Sequence, residues 1–322
     1  MRRRDFIALA GAAAIWPLTA RSTDARRVYR IFWVSAGSEP DPLLDGFREG
    51  MRDLGYVEGR NLVFERRYAA GDPAVLRQMV AALKRESVDL AVSSGPATRE
   101  MKRVTDIPVL FALSGDPVEL GVVRSLAQPG GNFTGNTFLS LELAGKRVEF
   151  LKELLPKLHT LAVLSNTDHP GEQSEWRATQ RAAEALGVKP IYIPFNGACE
   201  LDGALQSVSE AHADAMLTFP EPVTLRCRTQ VAAFAMSERL PSMFGWSEYS
   251  DAGGLMSYGA NQRATYVGLA NYADRILRGE KPANLPVEQP TKFELVVNLN
   301  TARALGLESA MTPVLFRARV IE

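Results

Sequence analysis

Short runs of β-branched and apolar residues alternate along the chain with stretches whose apolar side chains recur every three or four positions. The first four runs have the length and composition of buried strands, at residues 29–34, 61–65, 89–94 and 107–112. After the first run, apolar residues from Leu43 to Leu54 share one helical face, and Gly55 is placed to end that helix. Strands separated by helices of this length pair in parallel through crossovers, so the pattern predicts a doubly wound α/β sheet.

The alternation stops at residues 128–136, which read QPGGNFTGN and have no helical period. Beyond this passage a helix is predicted over residues 141–155. A second set of strands follows, at residues 161–165, 190–193, 215–219 and 242–246. The pattern therefore predicts a second α/β unit of similar plan, with the glycine-rich passage as the crossing between the two. A chain of 322 residues has enough length for two such lobes.

The last part of the chain adds a strand at 253–258, a helix over 266–277 and a strand at 293–298. Glycine- and proline-rich passages near residues 252–254 and 282–290 predict two more crossings. Three crossings form a three-strand hinge, which suits closure of the lobes as near-rigid bodies. The predicted division is an export signal over 1–25, lobe 1 over 26–137 and 254–285, and lobe 2 over 138–253 and 286–322.

The N-terminus has the features of a secretory signal. Basic residues at 2–4 precede an apolar run over 8–18 that is too short for a membrane anchor, and small residues follow. Arg3-Arg4 before Asp5-Phe6-Ile7 resembles the twin-arginine export signal. We prefer cleavage after Ala25 to cleavage after Ala20. The alternative, an amphipathic helix of the mature fold, lacks a polar face. We therefore expect a periplasmic protein exported by the twin-arginine route.

Composition excludes several classes of function. Lys plus Arg equals Asp plus Glu, at 37 each, so no polycationic surface for nucleic acid is expected. The three histidines and two cysteines do not fall at metal-ligand spacing, so no metal site is predicted. Nucleophile-elbow and phosphate-loop motifs are missing, so we expect neither an enzyme nor a cofactor. Cys199 and Cys227 either form a bridge, which an oxidising periplasm permits, or stay unpaired, and we favour the second interpretation.

Several longer motifs then identify a family. They are FREGMRDLGYVEGRN at 47–61, GDPV at 115–118, QPGGNFTG at 128–135, DAGGLMSYG at 251–259 and LPVEQPTKFELVVNL at 285–299. In this order the chain resembles the periplasmic substrate-binding components of ABC transporters, and only the ending at 311–316 departs from the family pattern. The resemblance implies a type I fold with two parallel-sheet lobes on a three-strand hinge. It also implies a small ligand, amino acids and aromatic ones among the family's ligands, and an ABC permease and ATPase complex as partner. We expect a monomer.

In open α/β sheets, ligands bind beyond the carboxyl ends of the strands. This rule and the first crossing select the candidate ligand-binding residues Ser35, Ser38, Ser94, Gly95, Ala97, Thr98, Asp116, Asn136, Thr137, Asn166, Glu221, Glu248 and Tyr249. Pro96 suits the first helical position, so the amides of Ala97 and Thr98 are expected to be free donors for a ligand carboxylate.

Asp116, Glu221 and Glu248 are candidate partners of a ligand ammonium group. Each candidate also has a structural interpretation. Asp116 would cap a turn, Glu221 and Glu248 would lie on a solvated rim, and Tyr249 would belong to the core. The function expected is capture of an amino acid or related carboxylate for an ABC uptake system. The alternative is a periplasmic protein that presents its ligand to a sensor or chemoreceptor.

Overall fold

The computed structural model describes residues 27–83, 86–104, 106–197 and 200–322. A parallel five-stranded sheet has the order β2-β1-β3-β4-β5. Its strands are β1 (Tyr29–Ser35), β2 (Leu62–Tyr68), β3 (Leu90–Ser94), β4 (Val109–Leu113) and β5 (Phe133–Thr137). Its connecting helices are α1 (Pro42–Asp53), α2 (Pro73–Ala82) and α3 (Pro96–Val104). Every residue of β3 and β4 is buried, as expected for central strands covered on both faces.

A second sheet has seven strands in the order β12-β11-β10-β9-β8-β6-β7. These strands are β6 (Thr160–Asn166), β7 (Lys189–Phe195), β8 (Ala215–Thr218), β9 (Ser242–Phe244), β10 (Met256–Ala260), β11 (Phe293–Asn298) and β12 (Ala318–Ile321). The helices that follow α3 are α4 (Ser140–Leu154), α5 (Glu172–Ala185), α6 (Leu201–Glu210), α7 (Pro222–Arg226), α8 (Arg228–Ser237), α9 (Ser247–Asp251), α10 (Gln262–Leu277), α11 (Leu299–Leu305) and α12 (Thr312–Leu315). The pairing of β10 with β11 is antiparallel, and the other pairings are parallel.

Three of the helices that follow strands begin with an acidic residue and a proline. The Asp41 carboxylate accepts hydrogen bonds from the amides of Leu43 and Leu44 at the start of α1. Asp72 caps α2 and Glu221 caps α7 in the same way. The carboxylate satisfies amides that have no partner inside the helix, and proline fits the first helical turn because its missing N–H costs nothing there.

The chain crosses between the sheets three times. It leaves β5 for α4, leaves β10 for α10, and returns through residues 286–290 to β11. Thr137 donates its amide to the Glu288 carbonyl at 2.9 Å, and Glu288 donates to Gly135 at 2.8 Å, so the first and third crossings are paired. Helix α10 packs on α1 of the first sheet. Lobe 1 is therefore the five-stranded sheet with α1–α3 and α10, and lobe 2 is the seven-stranded sheet with the other helices.

Two details differ from the sequence-based description. Residues 133–137, predicted as part of a crossing, form β5 and pair with β4 before the chain leaves the sheet. Residues 254–260 were predicted in lobe 1, but β10 lies between β9 and β11 of lobe 2. Gly253 and Gly254 make the turn from α9 into β10, with Gly253 at φ 103°. The second crossing therefore comes after β10, at Asn261, rather than before it.

The predicted export signal and Cys199 lie outside the described residues. Cys227 is half-buried between α7 and α8, and burial raises the pKa of its thiol. The expectation that Cys199 and Cys227 are unpaired stays a prediction. Across the described ranges, no helix combines the length and the apolar character needed to cross a bilayer.

Candidate functional site

The carboxyl ends of the two sheets face each other, and glycines mark several places where the loops that follow them touch. The ring of Pro222 would lie 3.2 Å from a Cβ atom built on Gly95. The Gly71 carbonyl oxygen would lie 2.7 Å from a Cβ on Gly197. Gly115 and Gly171 approach with their backbones in contact. The lobes are therefore closed on each other along the strand ends.

A cavity of about 390 Å³ remains between the lobes, within the usual range for small-molecule sites. Its lobe 1 wall is the loop after β1, and its lobe 2 wall is α7 with the start of α8. The lining residues are Ser35, Gly37, Ser38, Glu39, Pro40, Asp41, Pro42, Leu43, Pro222, Leu225, Arg226, Arg228 and Thr229. We call this space the interlobe cavity. It contains two of the predicted residues, Ser35 and Ser38.

Asp41 is the acidic group of the lobe 1 wall that faces an aromatic cluster. Its carboxylate accepts a hydrogen bond from the Trp33 indole at 2.8 Å, besides the two amides that it caps. Burial raises the pKa of the Asp41 carboxyl, although these hydrogen bonds oppose the effect. The hydroxyl groups of Tyr68 and Tyr266 are buried and both interact electrostatically with Asp41, and the Tyr68 hydroxyl also lowers the pKa of the Asp41 carboxyl by hydrogen bonding to it. These donors are neutral, so none of them cancels the charge of the ionised carboxylate.

Two arginines stand on the lobe 2 wall. Arg226 donates to the Ala70 carbonyl of lobe 1 at 2.8 Å, and Arg228 donates to Leu225 at 3.2 Å. Each guanidinium has five N–H donors, so these single bonds leave donors free. The cavity thus carries the carboxylates of Glu39 and Asp41 on one lobe and guanidinium groups on the other.

The loop after β3 is closed more tightly than predicted. Ser94 is buried at the end of β3, and Ala97 is fully buried in the core. The Thr98 hydroxyl lies 2.9 Å from the Ser93 hydroxyl, and the Thr98 amide donates to the Gly95 carbonyl at 3.1 Å. The prediction that this amide is a free donor for a ligand carboxylate is therefore wrong, because the helix turn itself uses it.

Asp116 is exposed after β4 and caps the next turn, accepting from the amides of Val118 at 2.7 Å and Glu119 at 3.3 Å. The turn-cap interpretation accounts for its contacts.

Asn136 and Thr137 lie away from the interlobe cavity. They line a different space of about 500 Å³ between the outer face of α10 and residues 288–294. The Asn136 Oδ1 and Thr137 Oγ1 atoms are buried there without a hydrogen-bond partner.

On lobe 2, Asn166 and Glu221 bond to each other and to the backbone. The Asn166 amide donates to Glu221 at 3.2 Å, and Glu221 accepts from Val223 at 2.8 Å as the cap of α7. Both side chains are almost fully buried, so Glu221 does not lie on a solvated rim. Glu221 therefore holds the start of α7, which forms the cavity wall, but does not itself line the cavity.

Glu248 and Tyr249 sit in α9, inside lobe 2. The Tyr249 ring stacks on Phe244 with centroids 4.5 Å apart, and its hydroxyl donates to Thr224 at 2.7 Å. Burial raises the pKa of the Glu248 carboxyl, whose Oε2 atom has no hydrogen-bond partner. Tyr249 matches the core interpretation.

One buried cluster escaped the sequence analysis. The Nε2 atom of His169 lies 2.9 Å from the Ser114 hydroxyl of lobe 1 and 2.9 Å from the Glu175 carboxylate of lobe 2. Burial favours the neutral imidazole, but Glu175, Glu221 and Glu172 outweigh it and raise the pKa of His169. A lone histidine in a loop gives no sequence signal for such a cluster. Its partner Ser114 comes from the other lobe, and its partner Glu175 comes from helix α5.

Comparison with known proteins gives consistent matches. The model of a family described as ABC transporter substrate binding protein matches residues 34–318. A tyrosine-binding protein of Clostridioides difficile (strain R20291) is 23% identical over 271 residues, 83% of this chain and 77% of that protein. A solved conserved domain protein from Vibrio cholerae is 25% identical with a TM-score of 0.84, covering 92% of this chain and all of that one.

A solved ABC domain in complex with L-Trp, from Streptococcus pneumoniae, is 24% identical with a TM-score of 0.81. The alignment covers 90% of this chain and 100% of that chain. These structures share the two-lobed α/β architecture, which confirms the predicted type I fold.

Proposed function

Because the chain belongs to the ABC transporter substrate-binding protein family, we propose that it captures an amino acid, preferably an aromatic one, in the interlobe cavity. The observation that carries this proposal is the pairing of opposite charges across the cavity. Asp41 stands on the lobe 1 wall, and Arg226 and Arg228 stand on the lobe 2 wall. A zwitterion presents an ammonium and a carboxylate group, so it complements both walls at once.

The state of Asp41 favours a cationic partner. A carboxylate whose pKa is raised by burial gains from a nearby positive charge, because that charge replaces lost hydration. A ligand ammonium group supplies such a charge together with hydrogen-bond donors. Leu43, Pro222 and Leu225 add apolar surface to the same cavity, which suits a ligand with a hydrophobic side chain.

The relatives support the ligand class. One matched relative is a tyrosine-binding protein, and one matched structure holds L-Trp. We therefore place aromatic amino acids first among the ligands. We further propose that the protein works in the periplasm after twin-arginine export, as the binding component of an ABC uptake system. It would deliver its ligand to the permease without transforming it.

Isothermal titration of the mature protein tests the proposal. The panel contains L-tryptophan, L-tyrosine and L-phenylalanine, with L-glutamate, the amine tryptamine and D-ribose for comparison. Tryptamine keeps the ring and the amine of tryptophan but lacks the carboxylate. We expect tight binding of an aromatic amino acid and much weaker binding of tryptamine. Tight binding of ribose without binding of any amino acid would contradict the proposal.

A further inference from the structure

We propose that a contact outside the interlobe cavity holds the lobes closed and sets how long a ligand stays bound. The contact joins Ser114 and Gly115 of lobe 1 to His169 and Gly171 of lobe 2, and we call it the closure latch. None of these four residues lines the interlobe cavity. This inference rests on the proposed ligand-binding function, and it assigns the control of release to residues that do not touch the ligand.

The glycine pair allows the backbones of the two lobes to approach each other closely. A Cβ atom on Gly171 would lie 2.6 Å from the Gly115 Cα atom, and one on Gly115 would lie 2.7 Å from the Gly171 Cα atom. Both distances are shorter than real Cβ contacts. Gly171 has φ −88°, an angle that any residue adopts, and Gly115 is not in the left-handed region either. Space between the lobes, rather than backbone conformation, therefore requires glycine at both positions.

One hydrogen bond beside the glycines also crosses between the lobes. Ser114 follows β4 of lobe 1, and its hydroxyl reaches the His169 imidazole of lobe 2 at 2.9 Å. Glu175 holds the same imidazole from within lobe 2. The side chains of Ser114, His169 and Glu175 are all nearly excluded from solvent. In the open form the histidine keeps Glu175 but loses Ser114, so the serine contact belongs to the closed form alone.

Two neighbouring contacts also join the loop after β6 and the start of α5 to lobe 1. Asp168 lies 3.8 Å from the Arg99 guanidinium, and the Ser174 hydroxyl donates to the Glu119 carboxylate at 3.0 Å. These contacts are exposed, so each contributes little. The buried contacts of the latch contribute more, because water competes less for them. Interactions present only in the closed form shift the population towards it and slow the opening that releases ligand.

Gly171→Ala is the decisive variant, and Gly203→Ala is its control. Gly203 lies in α6 of the same lobe, and a Cβ atom there would meet nothing within 4 Å. Spin labels on Arg52→Cys in α1 and Gln206→Cys in α6, with Cys199→Ser and Cys227→Ser, report the distance between the lobes. L-Tryptophan and L-tyrosine serve as ligands, and stopped-flow fluorescence gives the dissociation rates.

For Gly171→Ala we expect loss of the closed distance and a dissociation rate raised about tenfold or more, with little change in association. Gly203→Ala should match the wild type in both. Thermal unfolding should show that both variants fold. The severe clashes of the methyl group in Gly171→Ala are with the Gly115 backbone across the lobes, and its close contact inside lobe 2 is with the Glu175 carboxylate at 3.2 Å, the end of a flexible side chain. A closed population in Gly171→Ala equal to that of the wild type would overturn the proposal. So would a wild type that never shows the closed distance.

A second pair of variants tests the hydrogen bond without changing any backbone position. Ser114→Ala removes the buried cross-lobe bond, whereas Ser174→Ala removes an exposed one. We expect faster ligand dissociation for Ser114→Ala and no change for Ser174→Ala, and equal rates would count against the latch. If the wild type closes but binds no amino acid, the proposed ligand class fails. The lobe distances of Gly171→Ala and Gly203→Ala then still decide the latch.

Discussion

Asp41→Asn separates the charge of Asp41 from its structural role. Asparagine caps a helix about as well as aspartate, so the amides of Leu43 and Leu44 keep an acceptor. The Trp33 indole donates to the other carboxylate oxygen, so in the variant it faces the asparagine NH₂ group and loses its acceptor. What disappears is the negative charge on the lobe 1 wall of the interlobe cavity. The substitution therefore removes the proposed partner of the ligand ammonium group and one hydrogen bond to Trp33, while the helix cap remains.

The size of the effect follows from the loss of a charge-assisted hydrogen bond. Such a bond contributes about 1.5–3 kcal/mol, so the affinity for an amino acid should fall roughly tenfold to more than a hundredfold. The free energy of unfolding should change less, because the lost acceptor of the Trp33 indole lowers it by about 1–3 kcal/mol while a second effect raises it. The raised pKa of Asp41 means that the folded state binds a proton more readily than the unfolded state, so ionisation costs stability at pH 7. Removing the charge removes that cost.

Isothermal titration at pH 7 measures the affinity, and thermal unfolding checks the fold. Asp45→Asn is the matched control, because Asp45 is an exposed acidic residue of the same helix and does not line the interlobe cavity. Wild-type affinity should also fall as the pH is lowered through the raised pKa of Asp41, and Asp41→Asn should lose this dependence. An affinity of Asp41→Asn equal to that of the wild type would refute the reasoning.

Three further substitutions test the rest of the account. Arg226→Gln should weaken amino-acid binding about tenfold in titration while leaving tryptamine binding unchanged, because tryptamine has no carboxylate to lose. Asp116→Ala should lower the free energy of unfolding in urea by about 1 kcal/mol through loss of the turn cap, and unchanged stability would contradict that role. Glu248→Gln should leave stability at pH 7 equal or higher, because burial raises the pKa of Glu248 and its ionisation therefore costs stability; a clear loss in urea unfolding would reveal a partner for its charge.

The alternation of strands and helices predicts most of the fold, because the spacing of apolar residues in each strand and each helix indicates which face is buried. The predicted helix over 141–155 corresponds to α4 at Ser140–Leu154. Strand β5 escaped because FTGNT has few apolar residues, and its place beside β4 comes from tertiary pairing. The glycines at 253–254 indicate a turn equally well within a lobe or between lobes. Only the pairing of β10 with β9 and β11 decides between these positions.

The candidate site was less accessible to sequence reasoning. The strand-end rule selected Ser35 and Ser38, which line the interlobe cavity, but it also selected Asn166 and Glu221, which satisfy each other. The position of a residue at a strand end predicts where its side chain lies. It does not predict whether that side chain binds a ligand or another protein group. Asp41 was missed although Asp-Pro after a strand is a helix-start signal. Asp41 becomes a candidate for ligand binding because it is buried beside Trp33. That burial depends on the packing of α1 against α10, which the sequence does not give.

A crystal structure of the mature protein with the amino acid that binds most tightly in the titration panel tests the central claim most directly. We expect the ligand between the lobes in the interlobe cavity. Its ammonium group should lie within hydrogen-bonding distance of the Asp41 carboxylate, and its carboxylate should contact Arg226 or Arg228. A ligand found outside this cavity, or one whose ammonium group has no contact with Asp41, would contradict the account.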